Sequence, residues 1–331
     1  MKTFGVTDST LNSLAEFDEG IPTPQPHDIC VEVQGISINP VDIATRKNIK
    51  DGLTGPKILG YDGYGKVTEV GSKVTKFKKD DIVFYAGDYT RDGSYQEYEL
   101  VDERIAAIAP KKTDIAHSVA MPLVTLTASE LLYEKLQIHP TQNNSNKTVL
   151  IINGAGGVGS IAIQLAHQAG LKVIATASTD EKVNWVKNLG ADFVVNHHQD
   201  LISQVQTLGF ENVDYIIGLS DNDPHWSEIV SLIKPFGTFA TITNLNESKI
   251  GAFKQKSADF KWEWMFTKAF YKMDEMSEQG EYLKRLADGL DDGTITSTTT
   301  KIFHGLNVDN IKQATELVEA GHMMGKAVVL K

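Results

Sequence analysis

The sequence predicts an α/β fold in two parts: a β-rich domain followed by a doubly wound parallel sheet. Three observations carry that prediction. Up to about residue 115, short β-branched runs are punctuated by glycine and proline. From residue 148 onward, apolar strand-like runs alternate with helix-like stretches. At the first strand-to-helix junction of that alternation stands the run Asn153-Gly154-Ala155-Gly156-Gly157-Val158-Gly159.

In the first part, Cys30 to Ile38 has near-alternating apolar residues, and Lys66 to Gly71 alternates and ends in a glycine turn. Asp81 to Ala86 and Ser94 to Val101 follow at short spacing, as in a small barrel or compact sheet. Thr125 to Leu136 reads as an amphipathic helix, and 140–147 as a polar loop. The alternation then predicts strands at 148–152, 172–176, 192–195, 213–217 and 237–242, and helices at 157–169, 180–189, 199–207 and 225–233. Strands joined by helices must run parallel, with right-handed crossovers. Beyond residue 250 the pattern breaks. Large apolar residues alternate and then cluster in Phe260 to Phe266, a helix is expected over about 275–291, and Gly325 to Leu330 reads as a last strand.

The chain has 331 residues, a net charge of −11 and one cysteine, Cys30. The acidic balance argues against a nucleic-acid partner, since phosphate backbones need a basic face. One cysteine allows no internal disulfide and no cysteine-built zinc site. Cys30 falls in an apolar run, as a buried strand residue would. The amino terminus lacks a long apolar region before a cleavage site, and no window reads as a membrane span, so a cytoplasmic chain without membrane partners is expected.

Gly154, Gly156 and Gly159 form G-x-G-x-x-G in the one context that gives it meaning, strand before and helix after. The first glycine permits the tight turn, the second lets backbone approach a pyrophosphate, and the third lets helix and strand pack closely. The N–H groups of Gly157, Val158 and Gly159 open the helix and face an anion. An NAD site usually has an acidic residue at the end of the second strand; here that place holds Ala177. Ser178 and Thr179 can donate hydrogen bonds there, Lys182 can supply charge, and His197 follows the third strand. These residues favour NADPH. The same residues also fit a helix cap (Ser178 to Glu181), a surface lysine and a loop histidine.

Several segments together resemble the medium-chain dehydrogenase/reductase superfamily, closest to its zinc-independent quinone oxidoreductase-like branch. They are Ser37 to Asp42, Ile58 to Val67, Leu123 to Ala128, and the glycine turn. A subgroup often labelled zinc-type alcohol dehydrogenase-like is the most similar. The resemblance covers essentially the whole chain. It implies a GroES-like catalytic domain at 1–120 and a Rossmann NADP(H)-binding domain at 121–250. A segment at 251–331 would complete the cofactor sheet and return to the catalytic domain. It also implies a homodimer.

Zinc enzymes of this superfamily carry cysteine in the segment matching 39–42 and histidine in the turn matching 60–62. Here those segments read Asn39-Pro40-Val41-Asp42 and Gly60-Tyr61-Asp62. A catalytic zinc needs three protein ligands, so no metal is expected. Hydride addition to a quinone, enone or enal then fits, because such acceptors delocalise the arriving charge. By resemblance Asn39 lies near the nicotinamide, Thr127 approaches its end, and Tyr61 faces the reaction centre. Tyr61 either donates to the developing oxyanion or fills the vacated metal space. Asp42 and Arg46, four apart, are expected to pair on a helix. Trp262, Trp264, Phe266 and Phe270 are read as either pocket wall or core. The competing readings are an alcohol dehydrogenase and a non-catalytic NADPH-binding protein.

Overall fold

A computed structural model describes residues 1–50 and 53–331. Eight strands come first: β1 (Lys2–Val6), β2 (Ala15–Asp18), β3 (Asp28–Ser37), β4 (Lys57–Ile58), β5 (Asp62–Val70), β6 (Ile82–Ala86), β7 (Tyr98–Asp102) and β8 (Ala106–Ile108). Six follow: β9 (Thr148–Ile152), β10 (Lys172–Thr176), β11 (Phe193–Val195), β12 (Val213–Gly218), β13 (Ile233–Thr241) and β14 (Asp259–Trp262). The last two are β15 (Thr299–His304) and β16 (Lys326–Leu330). The residues fall into two compact units, one made of Met1–Leu126 with Phe266–Lys331, the other of Thr127–Met265.

The first unit holds a seven-stranded sheet in the order β15-β16-β3-β5-β6-β8, with β7 also on β3, and a small sheet β2-β1-β4. The carboxyl-terminal β16 runs antiparallel to β3 and places Val328 opposite Ser37. That pairing brings a residue near the chain end beside the segment 37–42. Apolar side chains alternating along β3 and β5 build two cores, one around Val33, Ile36 and Val329, the other around Val31, Val67 and Tyr85. Cys30 is buried among them, and burial pushes its thiol pKa up.

The second unit is a six-stranded sheet of parallel strands in the order β11-β10-β9-β12-β13-β14. This is the doubly wound order, in which ligands bind beyond the strand carboxyl ends where the order reverses. Its central strands are covered on both faces, which is why Val149-Leu150-Ile151-Ile152 is apolar throughout and wholly buried. The sixth strand, β14, accounts for the alternation at Phe260 and Trp262.

Two local expectations change. The helix read as amphipathic from Thr125 to Leu136 is an α-helix over Pro122–Ser129 continued by a π-helix over Glu130–Lys135, buried on every side as far as Leu132. The run Ile115–Lys135 is therefore long and apolar enough to cross a membrane, contrary to the sequence reading, but 89% of it is buried within the protein. Asp42 and Arg46 do not pair. Arg46 bonds Glu319 at 2.7 Å and the Ser9 carbonyl at 2.8 Å, tying the helix Pro40–Lys47 to the helix Val308–Glu319.

One buried acid in the first unit predicts a pH dependence. Glu99 is 1% exposed and accepts a 2.7 Å bond from the Tyr85 hydroxyl, and burial raises its pKa from 4.5 to about 8. The folded protein thus holds this proton more tightly than the unfolded chain. Its contribution is complete below pH 4.5 and is lost as pH rises through 8. Urea melts are expected to show stability falling between pH 5 and 9. Glu99→Gln should remove a share of that slope on the order of a few kcal/mol. Parallel profiles for the two proteins would show that Glu99 is ionised in the fold.

Candidate functional site

In the second unit, three neighbouring strands end on one crest. After β9 the backbone turns at Asn153, whose φ of 67° lies in the left-handed region that Asn tolerates. Asn153 donates its N–H to Thr176 Oγ1 at 2.9 Å, and Gly154 donates to the Thr176 carbonyl at 3.2 Å. These bonds fasten the turn to the end of β10. Gly156 then caps the helix Gly157–Gln168 with no side-chain acceptor. The first-turn N–H groups of Gly157, Val158 and Gly159 have no intrahelical acceptor.

The glycines are sterically required to different degrees. A Cβ on Gly159 would lie 2.3 Å from the Asn153 carbonyl oxygen, and one on Gly154 2.9 Å from Ala175 Cβ. On Gly156 its nearest neighbour would be the Asn153 side chain, at 3.1 Å, with the Asn153 carbonyl oxygen at an ordinary 3.5 Å. Gly154 and Gly159 make the turn, whereas Gly156 keeps its outer face bare. A pyrophosphate fits such a cradle.

At the end of β10, Ala177 is buried, Ser178 is half-buried and Thr179 caps the helix Asp180–Asn188. Thr179 Oγ1 accepts the N–H of Lys182 at 3.3 Å, so the capping reading holds for Thr179, with its hydroxyl proton left to donate. Asp180 and Glu181 form the first turn of that helix. His197 follows β11 and is half-buried. Lys182 is close enough to help lower its pKa, with burial, His198 and His225 the larger causes in that order. The structure therefore brings Ser178, Thr179, Lys182 and His197 to the ends of adjacent strands β10 and β11. Thr127 is buried in the helix Pro122–Ser129.

The first unit holds the polar centre that sequence reasoning missed. Lys326, the first residue of β16, is 3% exposed. Its Nζ donates to the Ile38 carbonyl at 3.0 Å, to Asp62 Oδ2 at 3.2 Å, and to Asn39 Oδ1. Asn39 Nδ2 donates to Asp62 Oδ2 at 2.8 Å and to the Ser37 carbonyl at 3.3 Å. The other Asp62 oxygen accepts the Leu123 N–H at 2.8 Å. Asp42 completes the group, accepting the Asn39 N–H at 2.7 Å and the Tyr95 hydroxyl at 3.1 Å. Burial raises Asp42 to about 7, while Lys326 is pulled below its ordinary range by the same burial.

The network engages Asn39 from within the unit. The residue has no exposed surface and both ends of its amide are engaged inside the unit, so it braces Asp62 and Lys326. Tyr61 is also buried, at 1% exposed. Its ring stacks on Tyr89 at 5.7 Å and meets Phe266 edge-on at 4.8 Å. Burial drives its phenol well above the ordinary tyrosine range, partly offset by a hydrogen bond with Thr45. The geometry thus matches the space-filling alternative. Of the aromatic run, Phe266 is core, whereas Trp262, Trp264 and Phe270 are each more than a third exposed.

Two domain families match this chain: the alcohol dehydrogenase GroES-like domain over residues 25–111, and the zinc-binding dehydrogenase domain over 157–278. A zinc-type alcohol dehydrogenase-like protein of Staphylococcus epidermidis is 40% identical over 321 residues, spanning 96% of this chain and 95% of that one. An NADPH-dependent alkenal/one oxidoreductase of Arabidopsis thaliana, chloroplastic, is 35% identical over 235 residues, spanning 67% of this chain and 57% of that protein. The structure of the quinone oxidoreductase from Coxiella burnetii superposes with a TM-score of 0.84 at 25% identity, covering 100% of this chain and 99% of that one.

The word zinc in these descriptions does not fit the donors present. Among the described residues no three His, Cys, Asp or Glu side chains gather to hold a metal ion. The two buried carboxylates nearest the expected ligand segments are bound instead to Lys326, Asn39, Tyr95 and Leu123. An ammonium, two amide-type oxygens and a carboxylate make no zinc site. With that donor set, a GroES-like unit and a Rossmann unit, the chain belongs to the medium-chain dehydrogenase/reductase superfamily of oxidoreductases, in its quinone oxidoreductase-like branch.

Proposed function

We propose that the protein is an NADPH-dependent, zinc-independent reductase that adds hydride to a quinone or an α,β-unsaturated carbonyl. The observation that carries this reading is the crest of the second unit. The glycine cradle ends β9, and the neighbouring strands end in Ala177-Ser178-Thr179 and His197 with no carboxylate at the ribose position. A carboxylate there would repel a 2′-phosphate, whereas two hydroxyls, Lys182 and an imidazole attract one. The alkenal/one and quinone relatives support the acceptor class.

NADPH, when bound, supplies the hydride. Gly154, Gly156, Gly157, Val158 and Gly159 hold the pyrophosphate by backbone, and Ser178, Thr179, Lys182 and His197 hold the 2′-phosphate. Thr127 is assigned to the nicotinamide end by family resemblance. Asn39 and Tyr61 are assigned to the acceptor side by family resemblance, and Asn39 also holds Asp62 and Lys326. An acceptor that delocalises its own charge needs no Lewis acid, which suits a chain without a metal donor set. A homodimer through the open edge of β14 belongs to the same reading.

The test is NADPH oxidation over quinones, enals and enones, with NADH and saturated aldehydes as controls. Turnover with activated acceptors and NADPH is expected, and activity confined to alcohols or saturated aldehydes would overturn the reading. Tyr61→Phe is expected to keep kcat within about threefold, because a phenol that holds its proton this tightly is a poor general acid. A loss near 100-fold across enones would make the phenol a donor in the transition state.

A further inference from the structure

At the end of β11 lies a cluster of imidazoles that the cofactor reading only partly uses. His197 Nδ1 is sealed from solvent and has no hydrogen-bond partner among the described residues. The His198 ring stands 4.2 Å away on the same loop, and the His225 ring 6.3 Å away and perpendicular, from the residue that precedes the helix Trp226–Leu232. Lys182 faces it from the helix Asp180–Asn188. Glu228, the acid beside His225, is engaged by both oxygens. One of its oxygens lies 2.9 Å from His225 Nδ1 and the other accepts the Leu201 N–H at 2.7 Å.

Among the described residues, the charged groups that act on His197 are basic: His198, His225 and Lys182. Burial and these neighbours hold it neutral in the free protein, below its ordinary range. An anion brought beside the half-buried ring reverses the balance, because a phosphate dianion favours the imidazolium. His225, anchored by Glu228, sets how hard that protonation is.

We propose that His197 takes up a proton when a 2′-phosphorylated dinucleotide binds, so that discrimination for NADPH over NADH grows as pH falls. The inference rests on the crest being the NADPH site. The proton balance is simple: one proton passes from solvent to the His197 ring on binding and returns on release. NADH has no 2′-phosphate and draws none.

The experiment measures Kd for NADPH and NADH by protein fluorescence quenching between pH 6.5 and 8.5. This range stays above the second phosphate pKa of about 6, so the 2′-phosphate remains mostly dianionic. Titration calorimetry in buffers of different ionisation heat counts the protons. The ratio of the NADH to the NADPH Kd is expected to rise about tenfold from pH 8.5 to 6.5, with net proton uptake for NADPH alone. His197→Asn should flatten the ratio and abolish the net proton uptake on NADPH binding. His225→Asn should move the midpoint to higher pH by removing an imidazole that opposes the charge. A pH-independent ratio with tight NADPH binding, or no proton uptake, would overturn this inference and leave the cofactor reading intact. Failure of NADPH to bind at any pH would overturn both.

Discussion

Gly159→Ala is expected to abolish dinucleotide binding and to destabilise the second unit, whereas Gly156→Ala should abolish binding alone. At Gly159 the new Cβ would lie 2.3 Å from the Asn153 carbonyl oxygen and 2.7 Å from that of Gly154. Both are backbone atoms, and their turn is fastened to the end of β10 through Thr176. Relief requires opening the turn, at about 2–4 kcal/mol by analogy with overpacked interiors and backbone strain. At Gly156 the nearest atom is a side-chain nitrogen at 3.1 Å, which can move aside. A methyl there would instead stand where a pyrophosphate must approach the backbone. We expect the NADPH Kd of Gly156→Ala to rise at least about 100-fold, near 3 kcal/mol, with a melting profile like the parent's. Fluorescence titration and thermal melts on the two variants check this. Equal melting losses for both would mean that Gly156 serves the turn and not the ligand.

The same turn shows why part of the molecule was legible in one sequence. Parallel strands buried on both faces are written as uninterrupted apolar runs, and the first three helices between them stop at a glycine. Gly170 and Gly190 have φ of 79° and 108°, where other residues are strained. Such signals are local, so the order of strands and helices from 148 to 241 could be read with ends shifted by a few residues. The crest was legible for the same reason, since its residues follow strand ends. β14 escaped notice because an edge strand of four residues shares its alternation with a loop aromatic cluster. The polar centre of the first unit is the opposite case. Lys326 precedes an apolar strand, as many solvated lysines do, and its partners Asn39 and Asp62 are 287 and 264 residues away. Arg46 shows the same limit, because helical spacing offered Asp42 while the fold supplied Glu319 from 273 residues downstream. Asn39 was placed against the cofactor by resemblance, and the engagement of its amide between Lys326 and Asp62 had no local signal in the sequence.

Lys326→Met should be among the most destabilising single substitutions in the first unit, costing about 3–5 kcal/mol. Among the described residues the ammonium is the one cation that the buried carboxylate of Asp62 meets in an ion pair. It also supplies hydrogen bonds to the Ile38 carbonyl and the Asn39 amide oxygen. Methionine fills a similar volume, so the loss measures charge and hydrogen bonding and not a cavity. Asp62 would then be left 0% exposed with only neutral donors, from Asn39 and Leu123. Asp62→Asn in the Lys326→Met background should restore part of the loss. A double-mutant cycle from denaturant melts would then yield a coupling of roughly 1–3 kcal/mol. Asp42 is already held near neutrality by burial, with a pKa of about 7, and does not compete strongly for the ammonium. A loss below about 1 kcal/mol, or no coupling between the two sites, would mean that desolvation cancels the pair, as buried ion pairs sometimes allow. A full loss would assign this lysine the task of holding Asn39 and Asp62, and through Leu123 the start of the helix Pro122–Ser129, in one fixed arrangement.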